Sequence, residues 1–574
     1  MAEITASSEG GPPLSGGLPE RGPLLTFLFG QGPLQSRSDR FLGAGLLLAW
    51  LLMVTFVSSR HEVWRDEARA FSLAVSPASW SGLPKALENE GHPLLWYVIL
   101  RAAHQILPHP VVLKVASIGI ALSAVSLFLF QAPFPVWLRA LFLFSALPVY
   151  EYSVMARNYG ISMLLFFLLA WTFDHRHPRP LRPALCLFLL AQTNVHSCLL
   201  ALVLLMVWNL ARCWTWRPET WRRALGEQAL VSLIVGVGIA LALVITMPND
   251  QTAIPKARSL GLSTILESLS RSVGDPAGTF FCLFSMIPQP LAGLVPWLLV
   301  AGLAGFPALA GALAAGMAAL GAVFHGLHSG FFRHQGLLLI LALTLYWMAH
   351  QEARRRALET VAPPPGRGWP AAAFRLGNWV LAAVLVLQCL YGAVLIRQDL
   401  EGEMSSCWRI GDLVASRPDL RGAIVVGEPD VLMEAVRYYL PNRIYVPRQG
   451  EFADVVLLTR KNLAHFSLGG LQDSVTALQQ RERCPVLVAI GHSGFMAEPA
   501  GERTYWPEKT FSWNPLEKQA FLARAERLGG FHGASTSENF DLFLFPFPIS
   551  PASESPAIPP ASPDPSPIPG GIHP

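Results

Sequence analysis

Long apolar runs recur along most of this chain, and they constrain its fold more than any other feature. The first run, Phe41–Ser58, is followed by many others. The sequence is 52% hydrophobic and only 14% charged, whereas soluble domains carry about 25% charged residues. Apolar segments of about 20 residues have the length needed to cross a bilayer. The pattern therefore predicts a polytopic α-helical membrane protein and not a large soluble core.

The runs predict about eleven transmembrane helices. They lie near residues 41–58, 111–131, 134–150, 155–173, 182–195, 197–212, 227–247, 279–303, 306–326, 334–350 and 377–397. If the N-terminus is cytoplasmic, the basic tracts around Arg179, Arg217 and Arg355 fall inside, which agrees with the positive-inside rule. The loop 59–110 is then outside. This topology requires His92–Leu107 to be an interfacial helix, because counting it as a span would reverse every later loop.

The remaining segments define the domain boundaries. Residues 1–40 and 549–574 are rich in Gly, Pro and Ser, and we expect a disordered cytoplasmic N-terminal tail and a second disordered tail. Residues 41–397 form the predicted transmembrane domain. Between 398 and 548, strand-like segments alternate with helical ones, which predicts a small extracytoplasmic α/β domain. The expected strands are 423–427, 453–458, 485–490 and 541–545, and the expected helices are 431–440 and 518–528. Cys407 and Cys484 could pair if this domain is outside.

The segment His61–Arg69 directly follows the first apolar run. It contains three carboxylates, two arginines and a histidine. Charges beside a bilayer are costly and are often functional when they cluster. Asp66 and Glu67 are either solvated loop charges paired with neighbouring arginines or the acid/base groups of a partly desolvated cleft, where a carboxylate can act as a general base. Their position between membrane-surface elements favours the cleft.

Other polar groups fall on the same predicted side. His92 precedes a helix and either caps it or points into the cleft. Arg157 either snorkels to lipid headgroups or grips a phosphate, and Tyr159 would line the same pocket. The remaining candidates are weak singly, where interfacial anchoring explains each, but together they form a ring of phosphate-compatible donors. They are His196, Lys256, Arg258, Arg333 and His334.

Several function classes are not supported. The formal net charge of +4 over 574 residues does not suggest nucleic acid. The α/β region has no GxGxxG and no Walker lysine, so nucleotide binding is not indicated. No CxxC or Cys/His cluster predicts a metal site. A divalent metal stays open only because the carboxylates and His92 could converge.

At these residues the chain resembles the GT-C superfamily of membrane glycosyltransferases, and within it glycosyltransferase family 39, which includes protein mannosyltransferases and the lipid A aminoarabinose transferase. The similar elements occur in order over roughly residues 41–350. They are Trp64-Arg65-Asp66-Glu67, then His92-Pro93-Leu94-Leu95-Trp96-Tyr97, then Tyr152-Ser153 with Ala156-Arg157-Asn158-Tyr159, and finally Thr193-Asn194-Val195-His196. Two positions depart from the family pattern. Leu94 replaces a proline, and Met155 replaces a glutamate for which Glu151, one turn earlier, is the candidate substitute.

The resemblance implies transfer of a sugar from a polyprenyl-phosphate donor to an acceptor hydroxyl on the extracytoplasmic side of the inner (plasma) membrane. It assigns Asp66 as general base, Glu67 as a group that orients Asp66 or binds acceptor, and inversion at the anomeric carbon. The residues expected to bind substrate are His92, Tyr97, Glu151, Arg157, Tyr159, His196, Lys256, Arg258, Arg333 and His334. The lipid-linked donor and membrane lipids are the implied partners, the acceptor is a protein, a lipid or a glycan, and no cofactor is assigned.

Two other functions remain open from the residues alone. The chain could be a transporter or flippase of lipid-linked sugars, although transporters commonly keep polar groups near the bilayer midplane within paired repeats. Here the charges cluster at one face. It could also be a scaffold whose outer domain binds a partner, in which case the Asp66-Glu67 loop would tolerate substitution.

Overall fold

The helices fill the N-terminal two thirds of the chain and the β-sheets lie in the C-terminal third. This computed structural model describes residues 37–173, 179–214, 221–247, 252, 262–274, 287–327, 330–359, 368–505 and 508–547. The predicted C-terminal tail, most of the predicted N-terminal tail, and the candidates Lys256 and Arg258 lie outside the described residues. So does part of the predicted span 279–303.

Helices α1 to α15 form the N-terminal part. Their bounds are α1 (Arg37–Arg60), α2 (Arg65–Val75), α3 (Leu83–Ala86), α4 (Leu95–Ile106), α5 (Val112–Gln131), α6 (Val136–Leu143), α7 (Tyr159–Thr172), α8 (Leu181–Ala191), α9 (Val195–Trp214), α10 (Trp221–Thr246), α11 (Leu262–Gly274), α12 (Gln289–Gly302), α13 (Pro307–Gly326), α14 (Phe332–Glu359) and α15 (Trp369–Glu401).

Six of these helices are long and apolar enough to cross a membrane, judged by length and composition. They are α1, α5, α9, α10, α13 and α15. Shorter apolar helices occur at α7, α8 and Leu291–Gly302 within α12. The described part of the chain is thus a mostly helical membrane protein with six candidate spans. The expected number of about eleven, which counted shorter runs as spans, is not confirmed.

The expected span 134–150 is interrupted. Helix α6 ends at Leu143, and a π-helical turn, Leu147–Glu151, follows after three residues outside regular helix. Pro148 has no backbone N–H and its ring crowds the preceding turn, so it cannot continue a regular α-helix. Most of the neighbouring residues are apolar, which is why hydropathy did not reveal the break. The irregular segment leads into the Tyr152–Tyr159 junction that carries candidate site residues.

Helix α14 is the most deeply buried helix of the bundle. From Leu337 to Ala349, every side chain named in the core is at most 4% exposed. A helix that is apolar on all sides is stable only when other elements surround it. The Tyr346 hydroxyl donates to the Leu299 carbonyl of α12, 2.9 Å away. Arg333 and His334 stand at the first turn of this fixed helix.

The C-terminal region contains two sheets. The larger has the order β3-β2-β1-β5-β9-β8, with β2, β1 and β5 parallel and the other neighbours antiparallel, and the smaller has the order β4-β7-β6. The strands are β1 (Ile424–Glu428), β2 (Ile444–Val446), β3 (Glu451–Phe452), β4 (His465–Ser467), β5 (Val486–Ile490), β6 (Gly501–Tyr505), β7 (Lys509–Trp513), β8 (Glu526–Phe531) and β9 (Phe540–Phe545). Helices α16 (Cys407–Ser416), α17 (Val436–Tyr439), α18 (Leu468–Glu482) and α19 (Pro515–Arg524) connect them.

One predicted strand is wrong. Residues 453–458 form an extended loop, at the start of which the Ala453 N–H donates to the Ile444 carbonyl of β2 over 3.2 Å. Further along, the Val456 N–H donates to Glu434 and its carbonyl accepts from Arg69. The apolar run predicted a buried strand here, but these polar partners satisfy the backbone of Val456 without a sheet. Cys407 and Cys484 are both free thiols.

Candidate active site

The loop between α1 and α5 places its carboxylates at the start of α2. Helix α2 begins at Arg65, so Asp66 and Glu67 lie in its first turn. Negative charge is favourable there because the helix N-terminus carries a partial positive charge. Glu67 Oε2 accepts from the backbone N–H of Trp64, 3.3 Å away, which closes the turn. The local sequence therefore fixes the direction in which both carboxylates leave the helix.

Three arginines from three separate elements surround the Asp66 carboxylate. Arg157 Nη1 lies 3.2 Å and Arg333 Nη2 3.4 Å from Oδ2, and Arg65 Nε lies 3.3 Å from Oδ1. The side chains of Asp66, Arg157 and Arg333 are 21%, 11% and 15% exposed. Burial raises the pKa of Asp66, but the charges of Arg157, Arg65 and Arg333 outweigh burial and lower that pKa to about 2. Asp66 is therefore ionised at neutral pH.

Glu67 has a different environment from its neighbour. Its side chain is fully buried. Oε1 accepts from the Ala156 N–H at 2.5 Å, and Oε2 lies 3.0 Å from His61 Nε2. Ala156 immediately precedes Arg157, so one carboxylate joins the Asp66 turn to the Arg157 junction. These contacts give Glu67 the geometry of a group that orients others.

Sequence reasoning missed the partners of Glu67. His61 Nδ1 lies 2.9 Å from Asp399 Oδ1, and the Tyr150 hydroxyl donates to the same oxygen over 3.0 Å. Burial lowers the pKa of His61, but Glu67 and Asp399 outweigh burial and raise that pKa to about 10. His61 is adjacent to the motif and offered a signal. Asp399 lies 338 residues further along the chain, near the end of α15, and offered none.

His92 and Tyr97 meet at Glu90, a residue that the sequence did not single out. The Tyr97 hydroxyl donates to Glu90 Oε1 over 3.4 Å, and His92 Nδ1 lies 3.2 Å from the Glu90 carbonyl oxygen. Arg69 Nε donates to Glu90 Oε2 over 2.8 Å. Burial, and next the charge of Arg157, lower the pKa of His92. His92 is thus close enough to Arg157 to belong to the same cleft.

The remaining described candidates form a row of rings beside Arg333. Tyr159 stacks on Tyr152 at 5.8 Å between centroids and contacts His334 at 5.6 Å. His334 stacks on His196 at 4.5 Å and 17°. Tyr152 also donates to the Arg333 carbonyl over 2.7 Å. The row runs from the Asp66 cluster toward α9, so His196 lies further from Asp66 along the row than Tyr159 does.

Glu151 is one of the buried polar groups near the cleft that have an atom without a hydrogen-bond partner. Within the described part of the chain, its Oε2 is buried and accepts no hydrogen bond, and Arg333 Nε is likewise buried without an acceptor. Arg333 is the strongest of the charged neighbours of Glu151. Buried polar groups normally have partners. A donor atom and an acceptor atom without partners in one cleft are the features expected where a substrate supplies the missing bonds.

The described residues contain no group of three or more His, Cys, Asp or Glu side chains arranged to hold a metal ion. The Asp66 carboxylate instead faces three arginines. A cluster with so many cations is suited to an anion, because guanidinium groups bind carboxylate and phosphate oxygens in pairs.

No family model and no curated protein matches this chain. Among solved structures, the chain is similar to ArnT from Cupriavidus metallidurans, whose crystal structure has undecaprenyl phosphate bound. The TM-score is 0.42 and the sequence identity 13%, with 87% of this chain and 97% of that chain covered. A TM-score of this size does not by itself establish a common fold.

Proposed function

We propose that this protein is a membrane glycosyltransferase that moves a sugar from a polyprenyl-phosphate donor to an acceptor hydroxyl on the extracytoplasmic side. The observation that carries the proposal is the meeting of Arg65, Arg157 and Arg333 at one partly exposed carboxylate, Asp66. A lipid phosphate is a good leaving group that needs cations and no general acid. Arginines held in advance at the departing charge stabilise it without reorganisation.

Asp66 is the proposed base. Without substrate its pKa is about 2 because the arginines stabilise the carboxylate. A donor phosphate that engages Arg157 and Arg333 would share their charge, and the basicity of Asp66 would rise when the donor is present. Donor binding thus prepares the base for the acceptor.

The proposed reaction is a direct displacement at the anomeric carbon of the donor sugar. The acceptor oxygen forms a bond to the anomeric carbon as its proton passes to the Asp66 carboxylate. The bond from the anomeric carbon to the phosphate oxygen breaks, and the electron pair leaves with the polyprenyl phosphate, which the arginines hold. Attack opposite the phosphate inverts the anomeric centre. Glu67 is the proposed orienting residue, because its buried contacts with Ala156 and His61 leave no surface for an acceptor.

The other candidate residues have proposed roles around this step. Glu151 has a free carboxylate oxygen that could accept a hydroxyl of the donor sugar. His92, Tyr97, Tyr159, His196 and His334 would line the donor pocket, and Lys256 and Arg258 stay candidates from the sequence. We place the protein in the plasma membrane, with the C-terminal domain on the same side as Asp66.

The test uses the purified protein in lipid nanodiscs with labelled polyprenyl-phosphate sugars, with and without candidate acceptors. We expect sugar transfer or donor hydrolysis, and we expect Asp66→Asn to lower the rate by about 10²- to 10⁴-fold, the usual contribution of a general base. Asp419→Asn, an exposed carboxyl paired with Arg417, is the matched control. Both variants should keep the wild-type melting temperature.

Two results would contradict the proposal. Full turnover by Asp66→Asn would remove Asp66 from the mechanism. Movement of intact labelled donor across the membrane of a proteoliposome, without cleavage of the sugar–phosphate bond, would instead support a transporter or flippase.

A further inference from the structure

The C-terminal domain contacts the segment that carries Asp66 at several successive residues. The Met404 N–H donates to Glu62 Oε2 over 2.9 Å, and the Tyr439 hydroxyl donates to the Val63 carbonyl over 2.9 Å. A loop between two helices normally has few fixed points and is among the more mobile parts of a fold. Here the C-terminal region supplies such points immediately before α2 begins.

The contacts continue into α2 through two buried carboxylates, first Glu538 and then Glu434. Glu538 Oε1 accepts the backbone N–H of Arg65 at 2.7 Å, and its Oε2 accepts from the Ser405 hydroxyl. An N–H of the first helical turn has no partner within its own helix. Glu538 therefore caps α2 from a position 473 residues away in the chain. This bond adjoins Asp66 directly.

Arg69 extends the same connection by one turn. Its guanidinium bonds to Glu434 and to the Val456 carbonyl of the C-terminal domain, and also to Glu90 of its own loop. Glu434 in turn accepts the Val456 N–H at 2.9 Å. The pairing of Arg69 with two buried carboxylates is geometrically specific, because guanidinium donors lie in a fixed plane. Arg65 in the first turn of α2 and Arg69 one turn later are thus both bonded to the C-terminal domain.

We propose that the C-terminal domain is a positioning element of the active site, which holds the segment His61–Arg69 so that Asp66 meets the arginine cluster. Glu538, Glu434 and Tyr439 are the positioning residues. The effect of this positioning on catalysis rests on the proposed function. The positioning of residues 61–69 by the C-terminal domain does not depend on it. These bonds give the C-terminal domain a direct structural part in the site.

The experiment compares amide hydrogen exchange and turnover in the full-length protein in nanodiscs. In Glu538→Ala, the Arg65 N–H loses its acceptor, and we expect faster exchange across residues 61–69 with unchanged exchange in the membrane helices. We expect kcat to fall by on the order of 10- to 100-fold, because small displacements of catalytic groups are costly. The KM for the labelled polyprenyl-phosphate sugar should change little.

Glu538→Gln is the conservative variant, since an amide oxygen can still accept the Arg65 N–H. It should restore both the exchange rate and most of kcat, which a role of Glu538 in charge alone would not allow. Glu482→Ala is the matched control, because Glu482 pairs with Arg443 and Arg481 elsewhere in the same domain. Its exchange across 61–69 should equal that of wild type.

Tyr439→Phe keeps the test decisive if Glu538→Ala does not fold. It removes only the bond to the Val63 carbonyl and leaves no buried charge without a partner. We expect faster exchange across residues 61–69 in Tyr439→Phe, and wild-type exchange there in Tyr439→Phe and in Glu538→Ala, where that variant folds, would overturn the proposal. If the wild type transfers no sugar, the proposed function fails, whereas the exchange results still decide whether the domain holds the segment.

Discussion

Among the clusters that join carboxylates to arginines in the described part of the chain, those around Asp66 and Glu428 differ in how many of their polar atoms have hydrogen-bond partners. The Asp66 cluster is partly exposed, and within the described chain Arg333 Nε and the nearby Glu151 Oε2 lack partners. The second cluster lies at the carboxyl end of β1. There Glu428 and Arg448 are both 0% exposed and share two hydrogen bonds of 2.8 and 2.9 Å.

The cluster around Glu428 is closed. The Tyr505 hydroxyl donates to Glu428 over 2.7 Å, His492 lies 3.3 Å away, and Arg448 also donates to the Thr510 carbonyl over 2.7 Å. Burial raises the pKa of Glu428, but bonds to His492 and Arg448 outweigh burial and lower it. A closed cluster of this kind joins the two sheets of the domain. An open cluster has polar atoms that remain available to bind a ligand. This difference distinguishes a structural cluster from a candidate site, although both contain the same residue types.

Breaking the closed cluster should give the largest effect on stability. Arg448→Met leaves Glu428 buried without its partner, and we expect a loss of about 3–5 kcal/mol in unfolding free energy. The measurement is denaturant unfolding followed by intrinsic fluorescence. Arg443→Met, which removes an exposed pair with Glu482, is the control and should cost at most about 1 kcal/mol. Equal losses in the two variants would show that the buried Glu428 cluster contributes no more to stability than an exposed ion pair.

Breaking the open cluster should affect activity and not stability. Arg157→Gln removes a cation from the site, and we expect transfer to slow by about 10²- to 10³-fold, the range found for single stabilising donors. Arg212→Gln, which breaks the pair with Glu227 on α10, should transfer at the wild-type rate. Thermal melting checks that stability is unchanged. A large fall in melting temperature for Arg157→Gln would show that the Asp66 cluster is structural, like the Glu428 cluster.

A smaller effect should appear with pH, at the network that supports Glu67. The raised pKa of His61, about 10, means that its stabilisation is fully present below the unfolded value of about 6.5 and is lost as pH rises through 10. Unfolding free energy should fall by about 3 kcal/mol between pH 7 and pH 10. The slope should be flatter in His61→Gln, and parallel profiles would exclude His61 as its source.

Much of the arginine cluster could be predicted because its members lie at the ends of helices, beside apolar runs. Asp66, Arg157 and Arg333 each follow or precede such a run, and the structure brings all three together. Their proximity to one another was not a property of any local pattern. The expectation that they lie together came from the predicted topology, which put several helix ends on one side of the membrane.

The supporting groups could not be predicted in this way. Asp399, Glu434 and Glu538 are single acids in segments with no motif, and each acts on a residue more than 300 positions away. Tertiary packing decides whether such a group is buried, and neither composition nor periodicity reports on tertiary packing. The strand prediction at Val456 failed for a related reason, since the carbonyl of Val456 bonds to Arg69, which lies 387 residues away in the sequence.

The length of α15 has a consequence for the whole assembly. Its 33 residues make a rod of about 50 Å at 1.5 Å per residue, whereas the hydrocarbon layer measures about 30 Å. A rod that crosses this layer nearly upright must project well beyond it, and Asp399 lies only two residues from the final turn's end at Glu401. The length of α15 therefore sets the height above the lipid at which Asp399 contacts His61, and through His61 the position of the first loop.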